Sequence, residues 1–172
     1  MINDIAHRDE FTSLINSKGY KVCAEIGLGR GLYALHLLEN SNLDHLYSFE
    51  NWGSRWAKKV KDKTLNKFVP HSDRFKLMEG NAREEIKNFP DGFFDFVYVD
   101  GYHKYKYVKR DIEACYPKVR IGGFFGGHDY IENGKYGVVR AANEFFSLIG
   151  REFNVTREES IELDNPSFWM IK

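Results

Sequence analysis

The chain has 172 residues, 42% of them hydrophobic, which is enough to bury a sizeable core in one domain. Lys plus Arg and Asp plus Glu each total 25, so no net field draws the chain toward nucleic acid or an anionic membrane surface. No apolar run reaches bilayer length, no signal-like segment opens the chain, and the two cysteines, Cys23 and Cys115, sit in apolar segments as reduced thiols would; a soluble, cytoplasmic protein is expected.

Residues 4 to 17 place Ile5, Phe11, Leu14 and Ile15 on one helical face, and Lys18-Gly19 closes that helix. A strand is predicted at 20 to 26, then a helix at 30 to 40 with Leu32, Leu35 and Leu38 spaced by three. "LDHLYSFE" reads as the second strand and residues 54 to 67 as the next helix. "RFKLMEG", "FDFVYVD" and "GGFFGGHD" follow as strands, separated by the helical stretches "AREEIKNF" and "YKYVKRDIEACY". After a helix at 136 to 149, "EFNVTREES" and "PSFWMIK" have no helix between them and should pair antiparallel. The expected architecture is α/β: a doubly wound, mostly parallel seven-stranded sheet, helices on both faces, and a C-terminal antiparallel pair. No repeat or linker divides it, so residues 1–172 read as one domain in which residues 1–19 precede the first strand.

The stretch "AEIGLGRGLYALHLLE", residues 24–39, follows the first strand, where an open α/β sheet places its ligand crevice. Gly27, Gly29 and Gly31 let the backbone turn tightly and approach a ligand, and the helix that follows offers unpaired amides to an anion. A nicotinamide or flavin dinucleotide needs its third glycine one position later, where Leu32 stands. Glu25 adds a negative charge that opposes a diphosphate and suits a cation. S-adenosyl-L-methionine, with a sulfonium, an ammonium and one carboxylate, matches this order better. Glu50, at the end of the second strand, can accept both ribose hydroxyls. Asn81, in "EGNA", can cap the helix that begins at Ala82; "EGNA" also resembles the segment after strand three of S-adenosylmethionine-dependent methyltransferases, where a polar side chain meets the adenine amino group, and Asn81 can fill both roles.

The motif "EIGLGRG" resembles the first motif of the class I S-adenosylmethionine-dependent methyltransferases. "FENW", "DGYHKY" and "GGFFGGHDY" resemble the branch of sugar O-methyltransferases of the macrocin type, whose strands two, four and five close on such motifs. The resemblance runs from residue 23 to about 146. It implies a methyltransferase using S-adenosylmethionine, with Glu25, Gly27, Gly29, Gly31, Glu50, Asn51, Trp52, Asn81, Ala82 and Asp100 at the cofactor. Acidic residues at the ends of strands four and five hold a metal in related sugar and catechol enzymes, which assigns Asp100 and Asp129 to Mg²⁺ or Mn²⁺. Tyr130 follows Asp129 where those enzymes carry a further Asp or Asn, so the third ligand is left open.

Methyl transfer needs in-line approach of a nucleophile and removal of its proton, and Asp100, His103 and His128 are the candidates for that chemistry at the catalytic edge. Each has a plainer alternative: Asp100 can cap a helix and His103 can merely tie a loop together. The basic run at 55 to 67 reads as a solvated helix face, and no nucleic-acid partner is expected. A small-molecule acceptor is expected, captured by the loop at 130 to 136 or by a second subunit, which leaves the oligomeric state open and a dimer allowed. Two other readings stand beside this one, a nicotinamide oxidoreductase and a non-catalytic interaction module on the same fold.

Overall fold

A computed structural model describes residues 5–132, 134–157 and 165–172. The N-terminal helix α1 (Phe11–Lys18) begins later than its sequence pattern implies, because a short 3-10 turn at Arg8–Glu10 leads into it. Gly19, in the left-handed region at φ 66°, ends it as expected. Then come β1 (Val22–Ile26), α2 (Leu32–Asn40), β2 (His45–Glu50), α3 (Arg55–Asn66), β3 (Phe75–Glu79), α4 (Ala82–Glu85) and β4 (Phe94–Val99). The chain continues through α5 (Tyr105–Cys115), β5 (Val119–Gly127), α6 (Val138–Leu148), β6 (Asn154–Val155) and β7 (Phe168–Ile171). The expected strand over residues 152–160 is a two-residue bridge, and part of that range lies outside the described residues.

The seven strands form one sheet in the order β3-β2-β1-β4-β5-β7-β6. The pairs among β1 to β5 are parallel, and β7 runs antiparallel to both β5 and β6. Alternation along β4 divides the core. Phe96 and Tyr98 join Phe11, Leu14, Leu37, Phe124 and Trp169 on one face; Val97 and Val99 join Val108, Ile112, Ala142 and Phe146 on the other. Phe96 and Phe124 stack across neighbouring strands with centroids 4.3 Å apart, and Phe11 from α1 closes on Phe124 at 4.7 Å. No helix among the described residues is long and apolar enough to cross a membrane.

The strand order reverses between β1 and β4, so their following loops leave toward opposite faces and open a crevice at their carboxyl ends. The ladder carries one step past the strands: Gly27 donates to Phe49, Asp100 to Ile26, His128 to Val99 and Gly80 to Glu50, at 2.8 to 3.0 Å. Those bonds hold the first loop residues after β1, β3, β4 and β5 in register along one edge.

Candidate active site

A cleft of about 920 Å³ opens at that edge, large enough for a nucleoside-sized ligand together with a small acceptor. Glu25, Gly27, Gly29, Glu50, Asn51, Asn81, Ala82, Asp100 and His103 line it, all residues expected there from the sequence. Arg8, Tyr33, Arg83, Tyr107 and Asp111 line it too.

The three loop glycines serve three purposes. A Cβ on Gly27, at φ 95°, would stand 2.1 Å from the backbone oxygen of Asp100, so this glycine lets the β1 and β4 loops touch. A Cβ on Gly29 would meet nothing within 4 Å, and this residue faces the open cleft. Gly31 caps α2 at φ 68° and packs under Phe68, whose ring a Cβ would meet at 2.7 Å; it is not among the residues that line the cleft.

Glu50 lies at the centre of the loop cluster. The Gly29 amide donates to Oε2 at 3.0 Å, and the Asn51 and Trp52 amides donate to Oε1 at 2.9 and 3.0 Å. The carboxylate therefore fixes the glycine loop and keeps acceptor capacity on Oε2 for a ligand hydroxyl. Trp52 contributes its backbone only. Its ring is buried in the core at 3% exposure, its φ of 49° turns the chain back from β2, and it is not among the residues that line the cleft. Asn51 accepts from Gly53 at 2.7 Å, and Asn81 caps α4 by accepting from Arg83 at 3.2 Å. Behind them Arg83 pairs with Asp111 at 3.2 Å, and burial pushes that acid up to about 6 despite the guanidinium.

Glu25 is 2% exposed and accepts from Ser48 at 3.0 Å, its neighbour across the strand pair. Burial, reinforced by the Asp100 charge, pushes Glu25 up to about 8. Burial thus disfavours, near neutral pH, the negative charge read from the sequence.

The ends of β4 and β5 bring four titratable groups together. His103 Nε2 stands 2.6 Å from Asp129 Oδ2 and 3.6 Å from Asp100 Oδ1. His128 Nδ1 lies 3.6 Å from Asp100 and 3.5 Å from Asp129, with its side chain 10% exposed; it braces both carboxylates from behind and is not among the residues lining the cleft. Asp129 is held at φ 61°, a strained backbone for a non-glycine residue, and accepts from Asn165 at 2.5 Å. Asp100 and Asp129 push His103 up to about 9. Burial alone would raise both acids, yet His103 and His128 outweigh it, holding Asp100 at about 2 and Asp129 well below the usual carboxylate range.

Atoms of Asp100, His103 and Asp129 lie within 4.8 Å of one another and form a candidate metal centre. His103 Nε2 is buried between the two carboxylates, closer to Asp129 than to Asp100. Two carboxylates and an imidazole are a donor set that fits a divalent ion.

The sequence missed Arg8, whose Nη1 lies 3.5 Å from Asp100 Oδ2 and whose guanidinium carbon sits 4.9 Å over the Tyr33 ring. It missed Asn165 as well. Neither stands near a motif, and no local signal marks either one.

A methyltransferase domain family model matches residues 24–130. Compared by sequence with curated proteins, the chain finds no match. Among solved structures, an O-methyltransferase from Bacillus cereus in complex with SAH superposes with a TM-score of 0.69 at 19% identity, over 100% of this chain and 84% of that one. An SAH-bound methyltransferase from Podospora anserina gives 0.66 at 16% identity over 95% and 79%. A precorrin 8W decarboxylase from Methanobacterium thermoautotrophicum gives 0.63 at 21% over 99% of each chain, so the shared fold by itself selects no acceptor. The family model spans more than half of the residues, including the glycine loop, Glu50, Asp100 and Asp129: the chain belongs to the methyltransferase domain family and is an S-adenosylmethionine-dependent methyltransferase of class I fold.

Proposed function

We propose that the protein transfers the methyl group of S-adenosylmethionine to a hydroxyl of a small, sugar-like acceptor, with Asp100, Asp129 and His103 holding a divalent ion beside the acceptor oxygen. The observation that carries the reading is the cluster of those three side chains, of which Asp100 and His103 line the cleft next to the expected cofactor residues and Asp129 stands behind them. Binding falls to the β1 to β3 ends. Glu50 takes the ribose, Asn81 and Ala82 the adenine edge, Gly27 and Gly29 leave room for the chain that carries the sulfonium, and Glu25 faces its ammonium. In the transfer the acceptor oxygen forms a bond to the methyl carbon as the carbon–sulfur bond breaks, and the hydroxyl proton leaves to a base. Mg²⁺ or Mn²⁺ would supply Lewis-acid polarisation of that hydroxyl.

His103 can serve as a metal ligand or, without a metal, as the base, and its protonation decides which. In the free protein two carboxylates keep it charged at neutral pH. A dication between the same carboxylates takes over the positive charge, so metal binding should release about one proton at pH 7. Support for an oxygen acceptor also comes from the resemblance of "DGYHKY" and "GGFFGGHDY" to the macrocin-type branch, and from the Bacillus cereus O-methyltransferase, which shares the fold.

Calorimetry and a labelled-methyl assay against a panel of sugars and phenols test this. SAH and S-adenosylmethionine should bind and NAD should not. Turnover should vanish with a chelator and return with Mg²⁺ or Mn²⁺, while SAH affinity stays within a few fold. If chelation leaves turnover untouched, the metal is wrong, and His103 acts as a base with activity climbing as pH rises toward about 9.

A further inference from the structure

Asp129 follows β5 in the left-handed region, at φ 61°, and its carboxylate has to show one oxygen to the ion proposed between it, Asp100 and His103. Both its backbone and its side chain are held from one short segment, residues 165–167, just ahead of β7. The Tyr130 amide donates to the Pro166 carbonyl at 2.7 Å, which ties down the chain as it leaves Asp129. Asn165 Nδ2 donates to Asp129 Oδ1 at 2.5 Å, while His128 Nδ1 stands 3.5 Å from the same oxygen. Oδ2 faces His103 Nε2 at 2.6 Å. The two oxygens thus have different tasks, Oδ1 toward the amide and Oδ2 toward the cluster.

The segment that carries Asn165 is itself anchored. Ser167 is fully buried, shares a hydrogen bond with the Tyr98 hydroxyl at 2.7 Å and donates its amide to Thr156 Oγ1 at 2.8 Å. Tyr130, next to Asp129 in the chain, is engaged elsewhere: its hydroxyl donates to Asn143 at 3.0 Å and its ring packs on Phe153. The chemistry of the donor matters as well. A lysine or arginine could fix the carboxylate equally firmly, yet its charge would oppose a dication. An amide donates without a charge, so it orients the carboxylate and leaves the negative charge to the ion.

We propose that Asn165 is a positioning residue for the metal site: its amide fixes the rotation of the Asp129 carboxylate so that Oδ2 is presented to the ion together with Asp100 and His103. The proposal rests on the divalent-ion reading of the cluster. A rival role, in which Asn165 only fastens the segment ahead of β7, would make its loss felt in stability and not in metal affinity.

The test is calorimetry on the metal-free full chain with two probes, Mn²⁺ alone and SAH alone. The wild-type protein should bind Mn²⁺, and Asp129→Asn should abolish that binding, which locates the ion. Asn165→Leu, similar in volume but without a donor, and the smaller Asn165→Ala should each weaken Mn²⁺ binding by about 10-fold or more. Their SAH affinity should change by less than about 3-fold, which reports an intact cleft. Thr156→Val removes an anchor of the same segment without touching Asp129; it should lower the melting temperature and keep Mn²⁺ affinity within about 3-fold. Wild-type Mn²⁺ affinity in both Asn165 variants overturns the proposal. A loss in Thr156→Val equal to that in Asn165→Leu overturns it too, because the segment as a whole and not the amide would then hold Asp129. Parallel losses of Mn²⁺ and SAH in both Asn165 variants assign Asn165 to the fold and have the same consequence. Failure of the wild type to bind Mn²⁺, or unchanged binding in Asp129→Asn, overturns the metal reading itself, and this inference falls with it.

Discussion

Glu25 is a carboxylic acid walled into β1 with one neutral hydrogen-bond partner, and its chemistry follows from that burial. Its folded pKa of about 8 lies above the unfolded value near 4.5, so the folded protein keeps a proton that the unfolded chain releases between those values. Stability from this group is therefore complete below about pH 4.5, falls as pH rises to about 8, and is flat beyond, a span on the order of 5 kcal/mol. Glu25→Gln, neutral at every pH, should remove that slope and leave the variant more stable than wild type at pH 8.5 by denaturant unfolding. An unchanged slope would mean that Glu25 is already ionised. The same substitution should abolish proton release on S-adenosylmethionine binding, because the wild-type acid ionises as the ammonium arrives.

At the scale of elements, the β1–α2 and β4–α5 connections are built as one unit. Gly27 and Asp100 touch backbone to backbone, and a side chain at Gly27 has no direction in which to yield. Gly27→Ala should destabilise the fold by about 2 to 4 kcal/mol in chemical denaturation, since backbone on both sides must move. Gly29→Ala has open space around it and carries only the strain of φ 53°, about 1 kcal/mol. It should fold well and lose SAH affinity, because the new methyl group projects where the ligand lies. If the two variants prove equally stable, the contact between the loops is not what demands glycine at position 27. The motif shows three glycines in a row of alternate positions, yet which one serves the loop contact, the ligand or the helix depends on what lies across from each.

Across the whole molecule, the ligand side and the chemical side fall on different strands. In the proposed function cofactor groups come from the ends of β1, β2 and β3, while the titrating cluster lies at the ends of β4 and β5 together with Asn165, just ahead of β7. Affinity and turnover should therefore separate in variants. Glu50→Ala should weaken SAH binding by about 1.5 to 3 kcal/mol, through both the lost ribose contact and the three freed amides. Asp100→Asn should abolish turnover while SAH affinity stays within a few fold. Single-turnover rates and calorimetry on both variants check the division; a large affinity loss in Asp100→Asn would merge the two halves.

The fold class was legible in the sequence because period and punctuation are local properties. Apolar runs of strand length alternated with helical spacing, and the absence of a helix between the last two runs marked the antiparallel pair. The glycine loop, Glu50 and Asp100 were legible for a related reason: in a parallel sheet every strand points the same way, so residues at strand ends share one edge whatever their separation along the chain. What the edge looks like in detail is a matter of opposed surfaces. Trp52 and Gly31 stand inside their motifs but turn into the core and against Phe68, since a motif does not say which side of a loop meets the ligand. Arg8 reaches Asp100 across 92 residues, and Asn165 reaches Asp129 across 36, with no signal in either neighbourhood. The charge states of Glu25 and His103 were decided the same way, since a pKa is set by the solvent a group has lost and the charges brought beside it, and only the folded chain brings them there.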